Sequence, residues 1–266
     1  MSDLLKLLET AKVYDLAQSY FVGMPHHPAH PPFLYSLTKQ HGDYTVPGGG
    51  SSASDALALG SHLGTHIDAL CHFSCDGKLH GGQDVASVQS YAGGMRKYSI
   101  DTVAPIVRRG VLLDIAGQQK LNALPADFTI TPSHMEEAAK SQGVKIEKGN
   151  VVLVRTGWGS FFDDAARFEA QMHGPGPAEE GARWLSKHGI VAAGSDTIAF
   201  ELMPSRFPVH IHLLVESGIH IIECLNLEQL ATERVYEFAF VATPLKIKGG
   251  TGSPIRPLAL TTPTHW

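Results

Sequence analysis

The sequence predicts a protein of mixed α/β or α+β class, and three observations support this. Short runs rich in β-branched residues recur along the chain, each bounded by glycine or a polar turn, as strands are. Amphipathic patterns with helix start and stop signals lie between these runs. Neither an internal repeat nor a low-complexity linker divides the 266 residues. We therefore expect a single domain over 1–266 in which strands and helices are interleaved.

The N-terminal region holds one helix signal followed by a long irregular segment. The first residues, MSDLLKLLETAKVYDL, mix Asp3, Lys6 and Glu9 into an apolar run. This pattern predicts a short amphipathic helix capped by Ser2 rather than a signal peptide. Residues 22–54 contain MPHHPAHPPF and PGGGSSAS, and this density of proline and glycine predicts a loop-rich segment that lines a pocket.

The stretch HLGTHIDALCH, which begins at His62, holds four metal-binding side chains. On a helix, with 100° per residue, Asp68 and His72 would point away from His62. On a strand, the even offsets place all four on one side, but a straight strand would separate His62 from His72 by roughly 33 Å. A kink is therefore required, and Gly64 can supply it. The pattern predicts a strand whose His62, His66 and Asp68 share a cation, with His72 beside it.

Two imidazoles and one carboxylate are typical of a catalytic metal site, because three protein ligands leave a position open for water. Zn²⁺ and Mn²⁺ both accept these ligands. The alternative is a chance group of polar residues in the core. Without partners, each buried group would then cost about 1–3 kcal/mol, so the metal site is favoured.

The remaining elements follow the same signals in chain order. SHMEEAAKSQG predicts a helix with Ser133 and Glu136 as a capping box and Gly143 as its end. PAEEGARWLSKHG predicts another, ending at Gly189. The C-terminal segment 249–266 is proline-broken and predicts an extended arm that packs on a neighbouring subunit. The predicted strands are GVLLDI (110–115), NVVLVRTG (150–157), GIVAAGSD (189–196), IHIIECL (219–225) and RVYEFAFVATPLKI (234–247).

A second group of candidate ligands lies in PVHIHLLVESGIHIIECLNLEQL, residues 208–230. This segment predicts a helix that ends at Gly218 and a strand that carries Glu223. Because Glu223 stands between apolar neighbours, we expect it to be half-buried and bound to a partner or to a metal. His210 and His212 are the candidate ligands on the helix.

Composition and missing motifs exclude several function classes. The formal charge of −5, without a clustered basic face, excludes nucleic acid and acidic membranes as partners. Three cysteines without framework spacing indicate free thiols in a reducing compartment, so we expect a cytoplasmic protein. The chain has neither the G-x-S-x-G of a serine hydrolase nor the H-E-x-x-H of a zincin.

The stretch HLGTHIDALCHF closely resembles the H-x-G-T-H-x-D-x-x-x-H signature of the metal-dependent cyclase family, which includes bacterial kynurenine formamidases and isatin hydrolases. YDLAQSYFVGMP, GVLLDIAG, VVLVRTGW, GSDTIAF and HIHLLVESGIHIIECLNLEQLA match in the same order. The resemblance covers nearly the whole chain. It implies a swivelling β/β/α fold with a central mixed sheet and flanking helices. It also implies a homodimer or homotetramer with one or two Zn²⁺ or Mn²⁺ ions per subunit.

The resemblance also implies roles for individual residues. His212 stays open as an alternative to His210, because sequence does not fix the helix register. Leu70 stands where the family commonly has proline, which puts the local backbone path in question. The positions implied are metal ligands at His62, His66, Asp68, His210 and Glu223, and a catalytic histidine at His72.

The predicted reaction is hydrolysis of a C–N bond in a small formamide, amide or lactam by metal-activated water. His72 would take the proton of the water and give it to the leaving nitrogen. Phe33 and Trp158 are the candidate contacts to an aryl substrate. The alternatives are a metal-dependent lyase, dehydratase or cyclase on the same site, and a non-catalytic metal-binding protein.

Overall fold

The computed structural model describes residues 3–169 and 172–262, and within these ranges the elements are numbered along the chain. The strands are β1 (Lys12–Asp15), β2 (Leu34–Lys39), β3 (Ser54–Ala58), β4 (His66–Asp68), β5 (Gln89–Ser90), β6 (Gly94–Met95), β7 (Ile106–Asp114), β8 (Thr129–Ile130), β9 (Val151–Arg155), β10 (Gly176–Pro177), β11 (Ala192–Ser195), β12 (His220–Glu223), β13 (Glu237–Ala242), β14 (Gly252–Pro254) and β15 (Leu258–Thr261). The helices are α1 (Asp3–Thr10), α2 (Ile115–Gln118), α3 (Pro132–Ser141), α4 (Ala165–Glu169), α5 (Glu179–Lys187), α6 (Pro208–His210) and α7 (Glu228–Thr232). Helix α6 continues directly as a π-helix over Ile211–Ser217.

Nine of the strands form one large mixed sheet in the order β1-β15-β13-β7-β9-β11-β12-β4-β14. The four central strands β7, β9, β11 and β12 are parallel. Antiparallel strands extend the sheet on both sides, with β13, β15 and β1 on one side and β4 and β14 on the other. The predicted α+β class with a central mixed sheet is confirmed.

Both faces of the central strands are buried, which explains why their sequences are continuous apolar runs. Leu112 and Leu153 belong to one hydrophobic core, which the segment 79–100 and helix α7 cover. Val111 and Val152 belong to the other core, which contains side chains of α3, α5 and the helix that starts at α6. The sheet is therefore a rigid layer between two cores.

The predicted strands and helices fall on observed elements, with one correction at a helix start. The five predicted strands overlap with β7, β9, β11, β12 and β13, and the predicted helices with α1, α3, α5 and α6. The strand predicted over 234–247 is longer than β13, which ends at Ala242. The cap of α3 is Thr131 rather than Ser133, and the side chain of His134 rather than Glu136 completes the capping box. Pro132 explains the earlier start, because its fixed φ favours the first helical position. The predicted cap Ser2 lies outside the described residues.

The strand predicted across the histidine-rich stretch is wrong over most of its length. Only His66–Asp68 forms a strand, and the residues on either side form turns. The kink at Gly64 is confirmed, since its φ is +56°. The turn after β4 is closed by a hydrogen bond from the amide of His72 to the carbonyl of Ala69.

The described part of the C-terminal segment is extended and contributes two strands to the sheet of its own chain. Its packing on a neighbouring subunit stays a prediction. Strand β14 pairs with β4, and β15 lies between β1 and β13. The unpaired amides and carbonyls of β4 explain this, because they need partners that β14 supplies. Residues 263–266 lie outside the described ranges.

The segment 22–54 is irregular up to residue 33, and its second part contains the first strand and the turn of a hairpin that ends at Ala58. Strands β2 and β3 pair with each other in a separate two-stranded sheet. The irregular part lies over the candidate site described below. Within 3–169 and 172–262, every helix is too short or too polar to cross a bilayer.

Candidate metal centre and its cavity

Strands β4 and β12 bring three of the predicted ligands together. Glu223 is directly opposite His66 in the antiparallel pairing, as Ile222 is opposite Ile67. Because side chains alternate along a strand, His66 and Asp68 lie on the face opposite to Ile67. Ile67 and Ile222 both point into the first hydrophobic core. The two carboxylates and the imidazole therefore lie on the other face, next to the second core.

His62 reaches the same place through the turn at Gly64. Nδ1 of His62 lies 2.6 Å from Oδ1 of Asp68, and its Nε2 lies 2.9 Å from Oγ1 of Thr251. Tyr20 holds the turn, since its hydroxyl donates to the carbonyls on both sides of Gly64 at 2.7 and 3.0 Å. Thr251 precedes β14, so the C-terminal segment supports the site.

The helix that starts at α6 contributes His210 and not His212. Nε2 of His210 lies 3.3 Å from Oε1 of Glu223 and 3.9 Å from Oδ2 of Asp68. His212 lies on another face of the helix, where Nδ1 contacts Glu216 at 2.6 Å and Nε2 contacts Ser186 at 2.8 Å. The geometry thus brings His210 to the candidate ligands and gives His212 other partners.

The carboxylates of Asp68 and Glu223 lie between His66 and His210, and each carboxylate contacts both histidines. Oδ1 of Asp68 and Oε2 of Glu223 lie 3.5 and 3.4 Å from Nε2 of His66. Their other oxygens, Oδ2 and Oε1, face Nε2 of His210. Nδ1 of His66 is 2.8 Å from the carbonyl of Gly64, which fixes the direction of its Nε2. Each side thus offers one nitrogen and two carboxylate oxygens.

These carboxylates are buried and ionised. Asp68 is 1% exposed and Glu223 is 5% exposed. Burial by itself raises the pKa of Glu223, but hydrogen bonds from His210 and His66 outweigh it and lower the pKa to about 2. The pKa of Asp68 is likewise below its usual range despite burial, because His72 and His62 lie beside it.

Charge balance indicates what this donor set fits. The ion pairs recorded for Asp68 and Glu223 within the described residues are all with histidines. Burial lowers the pKa of His210, but hydrogen bonds to Glu201 and Glu223 outweigh it and raise the pKa to about 10. Protonated imidazoles can therefore balance the two carboxylates, and a divalent cation with neutral imidazoles balances them equally. The donor set of nitrogens and carboxylate oxygens fits Zn²⁺ or Mn²⁺.

Two groups of donor atoms have the mutual distances of a metal site, all within 4.8 Å. His66, Asp68 and Glu223 form the first group, and His62, Asp68 and His72 form the second. The second group includes His72, for which the resemblance implies proton transfer instead. Its ring stacks on that of His62 with 3.8 Å between centroids. Burial lowers the pKa of His72, so its imidazole is neutral near pH 7.

A cavity of about 220 Å³ opens onto these groups. Phe73 and Phe207 supply aromatic walls. Phe33 packs instead against Tyr20 and Tyr35, and the indole of Trp158 donates to the carbonyl of Leu124. The residues that line the cavity are His27, Ala29, His30, His62, His66, His72, Phe73, Ile198, Ala199, Phe207, His210 and Glu223. Phe33 and Trp158 are not among them, so this arrangement does not support their predicted role as substrate contacts.

Several residues at the site were not predicted individually. His27 and His30 line the cavity from the irregular part of 22–54, and the ring of His30 stacks on that of His62 at 5.1 Å. The sequence feature that could have indicated them is the group of histidines in a segment predicted to line a pocket. Phe73 adjoins the signature and could have been found from it. Glu201 and Thr251 gave no signal, because their contacts depend on tertiary structure.

Comparisons with known proteins extend over most of the chain. The model of the cyclase family matches residues 14–202. An isatin hydrolase of Roseibium aggregatum is 31% identical over 215 residues, which are 77% of this chain and 73% of that protein. A kynurenine formamidase of Bacillus cereus is 25% identical over 249 residues, 94% of this chain and 97% of that protein. A solved structure of a novel cyclase has a TM-score of 0.88 at 29% identity, covering 97% of this chain and 89% of that chain.

Proposed function

The chain belongs to the cyclase family, and on this premise we propose that it is a metal-dependent hydrolase of a small formamide, amide or lactam. The observation that carries the proposal is the pair of buried carboxylates shared between His66 and His210. Two relatives, an isatin hydrolase and a kynurenine formamidase, have names that describe hydrolysis of a lactam and of a formamide. The bond cleaved in this chain's substrate is accordingly a C–N bond next to a carbonyl.

Two Zn²⁺ or Mn²⁺ ions would be held by this set of side chains. His62 and His66 would contribute to one site and His210 to the other. The carboxylates of Asp68 and Glu223, which lie between His66 and His210, would complete the set of ligands. Such a site would supply a Lewis acid that polarises the carbonyl and lowers the pKa of bound water towards neutrality.

His72 would handle the proton of the reaction. It lines the cavity beside Asp68 and stacks on His62, so its ring is held in place next to the reacting centre. The neutral imidazole accepts a proton from the attacking water and returns it to the leaving nitrogen. This gives the amine as a neutral leaving group.

The cavity supports a small substrate with a planar apolar part. Phe73 and Phe207 lie 5.4 Å apart by ring centroids, at one wall of the cavity. Ile198 and Ala199 add apolar surface. An aryl ring placed there would be held by the aromatic walls, while the histidines bind the polar end.

Hydrolysis in isotopically labelled water tests the proposal. Protein purified without chelator, with its zinc and manganese measured, is assayed on N-formylaniline and on isatin in H₂¹⁸O. We expect ¹⁸O in the new carboxylate, loss of turnover with EDTA, and recovery with Zn²⁺ or Mn²⁺. Turnover without label in the carboxylate would indicate a lyase or cyclase instead. No turnover of either substrate by the metal-loaded protein would contradict the proposal.

The exposed apolar side chains of the hairpin β2–β3 support assembly of this chain into a homo-oligomer. An isolated two-stranded sheet is marginally stable in water, yet Leu34, Leu37 and Leu57 of this hairpin are exposed. A second copy of the chain that packs on the hairpin would bury them. Light scattering should give the mass of a dimer or tetramer, and Leu57→Ser should shift it towards the monomer. A monomeric wild-type protein would contradict this assembly.

A further inference from the structure

We propose that Glu201 is a positioning residue, which holds the ring of His210 so that its Nε2 faces Asp68 and Glu223. This inference rests on the metal site proposed above. Glu201 is 1% exposed, and nothing in the sequence marked it as part of the site. The hydrogen bonds of its carboxylate are with His210 and Ser205, rather than with Asp68 or Glu223.

One oxygen of Glu201 binds His210 twice. Oε1 accepts from Nδ1 of the ring at 2.6 Å and from the backbone amide of the same residue at 3.0 Å. That amide is in the first turn of the helix, where no carbonyl of the helix itself can accept from it. Glu201 thus fixes the backbone and the ring of His210 together.

The other oxygen fixes Glu201 itself. Oε2 accepts from the hydroxyl of Ser205 at 2.7 Å, and Oγ of Ser205 accepts from the amide of Phe207 at 2.9 Å. Phe207 has a left-handed φ of +61°, directly before Pro208 starts the helix. The segment from Glu201 to His210 is therefore a turn that is closed by hydrogen bonds to the carboxylate of Glu201.

This arrangement decides which nitrogen of His210 is available. A carboxylate that accepts at Nδ1 requires the proton to be there, so the neutral ring carries its lone pair on Nε2. Nε2 is the atom that faces Oε1 of Glu223 and Oδ2 of Asp68. Carboxylate partners of ligating histidines orient the ring and raise its basicity, and their loss costs about 10–100-fold in metal affinity or activity.

A purely structural role for Glu201 as a helix cap gives a different expectation. In Glu201→Gln, the amide oxygen can still accept from His210, and the amide NH₂ can donate to Ser205. The turn would be kept and only the charge lost. If Glu201 were only a helix cap, the Glu201→Gln protein would bind metal as the wild type does. If its charged carboxylate positions His210, the Glu201→Gln protein would bind metal less tightly.

The test is Zn²⁺ affinity, measured by competition with a chromophoric chelator on the full-length protein. We expect Glu201→Gln to bind the weaker of two Zn²⁺ ions about 10-fold less tightly, and Glu201→Ala about 100-fold less tightly. Glu180→Gln, the matched control, makes the same exchange on the exposed face of α5 and should stay within about 3-fold of wild type. Far-UV circular dichroism and the urea midpoint establish that each variant is folded.

Folded Glu201→Gln and Glu201→Ala proteins with wild-type Zn²⁺ affinity would overturn the inference. Because this readout needs no turnover, it separates the two proposals. If wild-type protein hydrolyses neither test amide but the Glu201 variants lose Zn²⁺ as expected, the hydrolase proposal fails and the positioning role stands.

Discussion

Oδ1 of Asp68 lies 2.6 Å from Nδ1 of His62, although the two residues are six positions apart along the chain. An extended chain would place them about 20 Å apart. The contact exists because the backbone turns sharply at Gly64 and only the three residues after Thr65 form a strand. The site therefore depends on a glycine that carries no chemistry itself.

Gly64→Ala should destabilise the protein and disturb the site. Alanine at this position would have to adopt a left-handed φ. Its Cβ would lie 2.8 Å from Cε of Met24 and 2.9 Å from Cζ of Tyr20. Backbone strain of about 1–2 kcal/mol and crowding of about 1–3 kcal/mol should together lower the free energy of unfolding. Gly77→Ala is the control, since Gly77 has φ +71° with open space around it. Urea denaturation should show a clearly larger decrease in the free energy of unfolding for Gly64→Ala than for Gly77→Ala. Equal decreases would contradict the crowding argument.

His72→Ala should separate proton transfer from metal binding. If His72 moves the proton and holds no ion, the variant keeps its metal content and loses about 10²–10⁴-fold in kcat. Metal analysis and kcat are measured on the same preparation. His41→Ala, in an exposed loop, should leave both unchanged. Loss of one ion from His72→Ala would make His72 a ligand, and full activity would remove it from the mechanism.

The two histidines on one helix give opposite expectations. His210→Ala should lose the ion on the side of Oδ2 of Asp68, together with most turnover, because its Nε2 faces both carboxylates. His212→Ala should keep metal and turnover, because His212 contacts Glu216 and Ser186. Metal stoichiometry by mass spectrometry decides between them. The reverse result would assign the ligand to His212.

Arg155→Met should lower stability without changing the site. The buried guanidinium pairs with Asp114 at 2.8 Å and with Glu228 at 2.7 Å. Its loss leaves the buried carboxylate of Asp114 without an ionic partner, which typically costs about 3–5 kcal/mol. Arg183→Met breaks exposed pairs with Glu179 and Glu216, and it should cost much less because water screens such pairs. Similar denaturation midpoints for the two variants would contradict this difference.

Local pattern was enough to predict the four parallel strands at the centre of the large sheet and the position of the histidine signature. Each of those four strands is a short apolar run that both cores bury, so its pattern and its bounding turns are local properties. The turn at Gly64 was predicted for the same reason, since glycine tolerates a left-handed backbone. The full-length strand around it was wrong, because the same turn ends the pairing before His66.

Contacts between distant segments could not be predicted. Glu223 meets His66 because β12 pairs with β4 in one register, and register is set by tertiary packing. Thr251 reaches His62 only because β14 pairs with β4, and the sequence pattern predicted an extended arm there without its pairing partner. Glu201 contacts His210 through a turn that no motif marks.

Anomalous diffraction from crystals grown with Zn²⁺ or Mn²⁺ tests the central claim most directly. We expect a peak within about 2.0–2.2 Å of Nε2 of His66 and of carboxylate oxygens of Asp68 and Glu223. A second peak is expected beside Nε2 of His210. Metal-saturated crystals in which these side chains hold no peak, or hydrogen-bond only to one another, would contradict it.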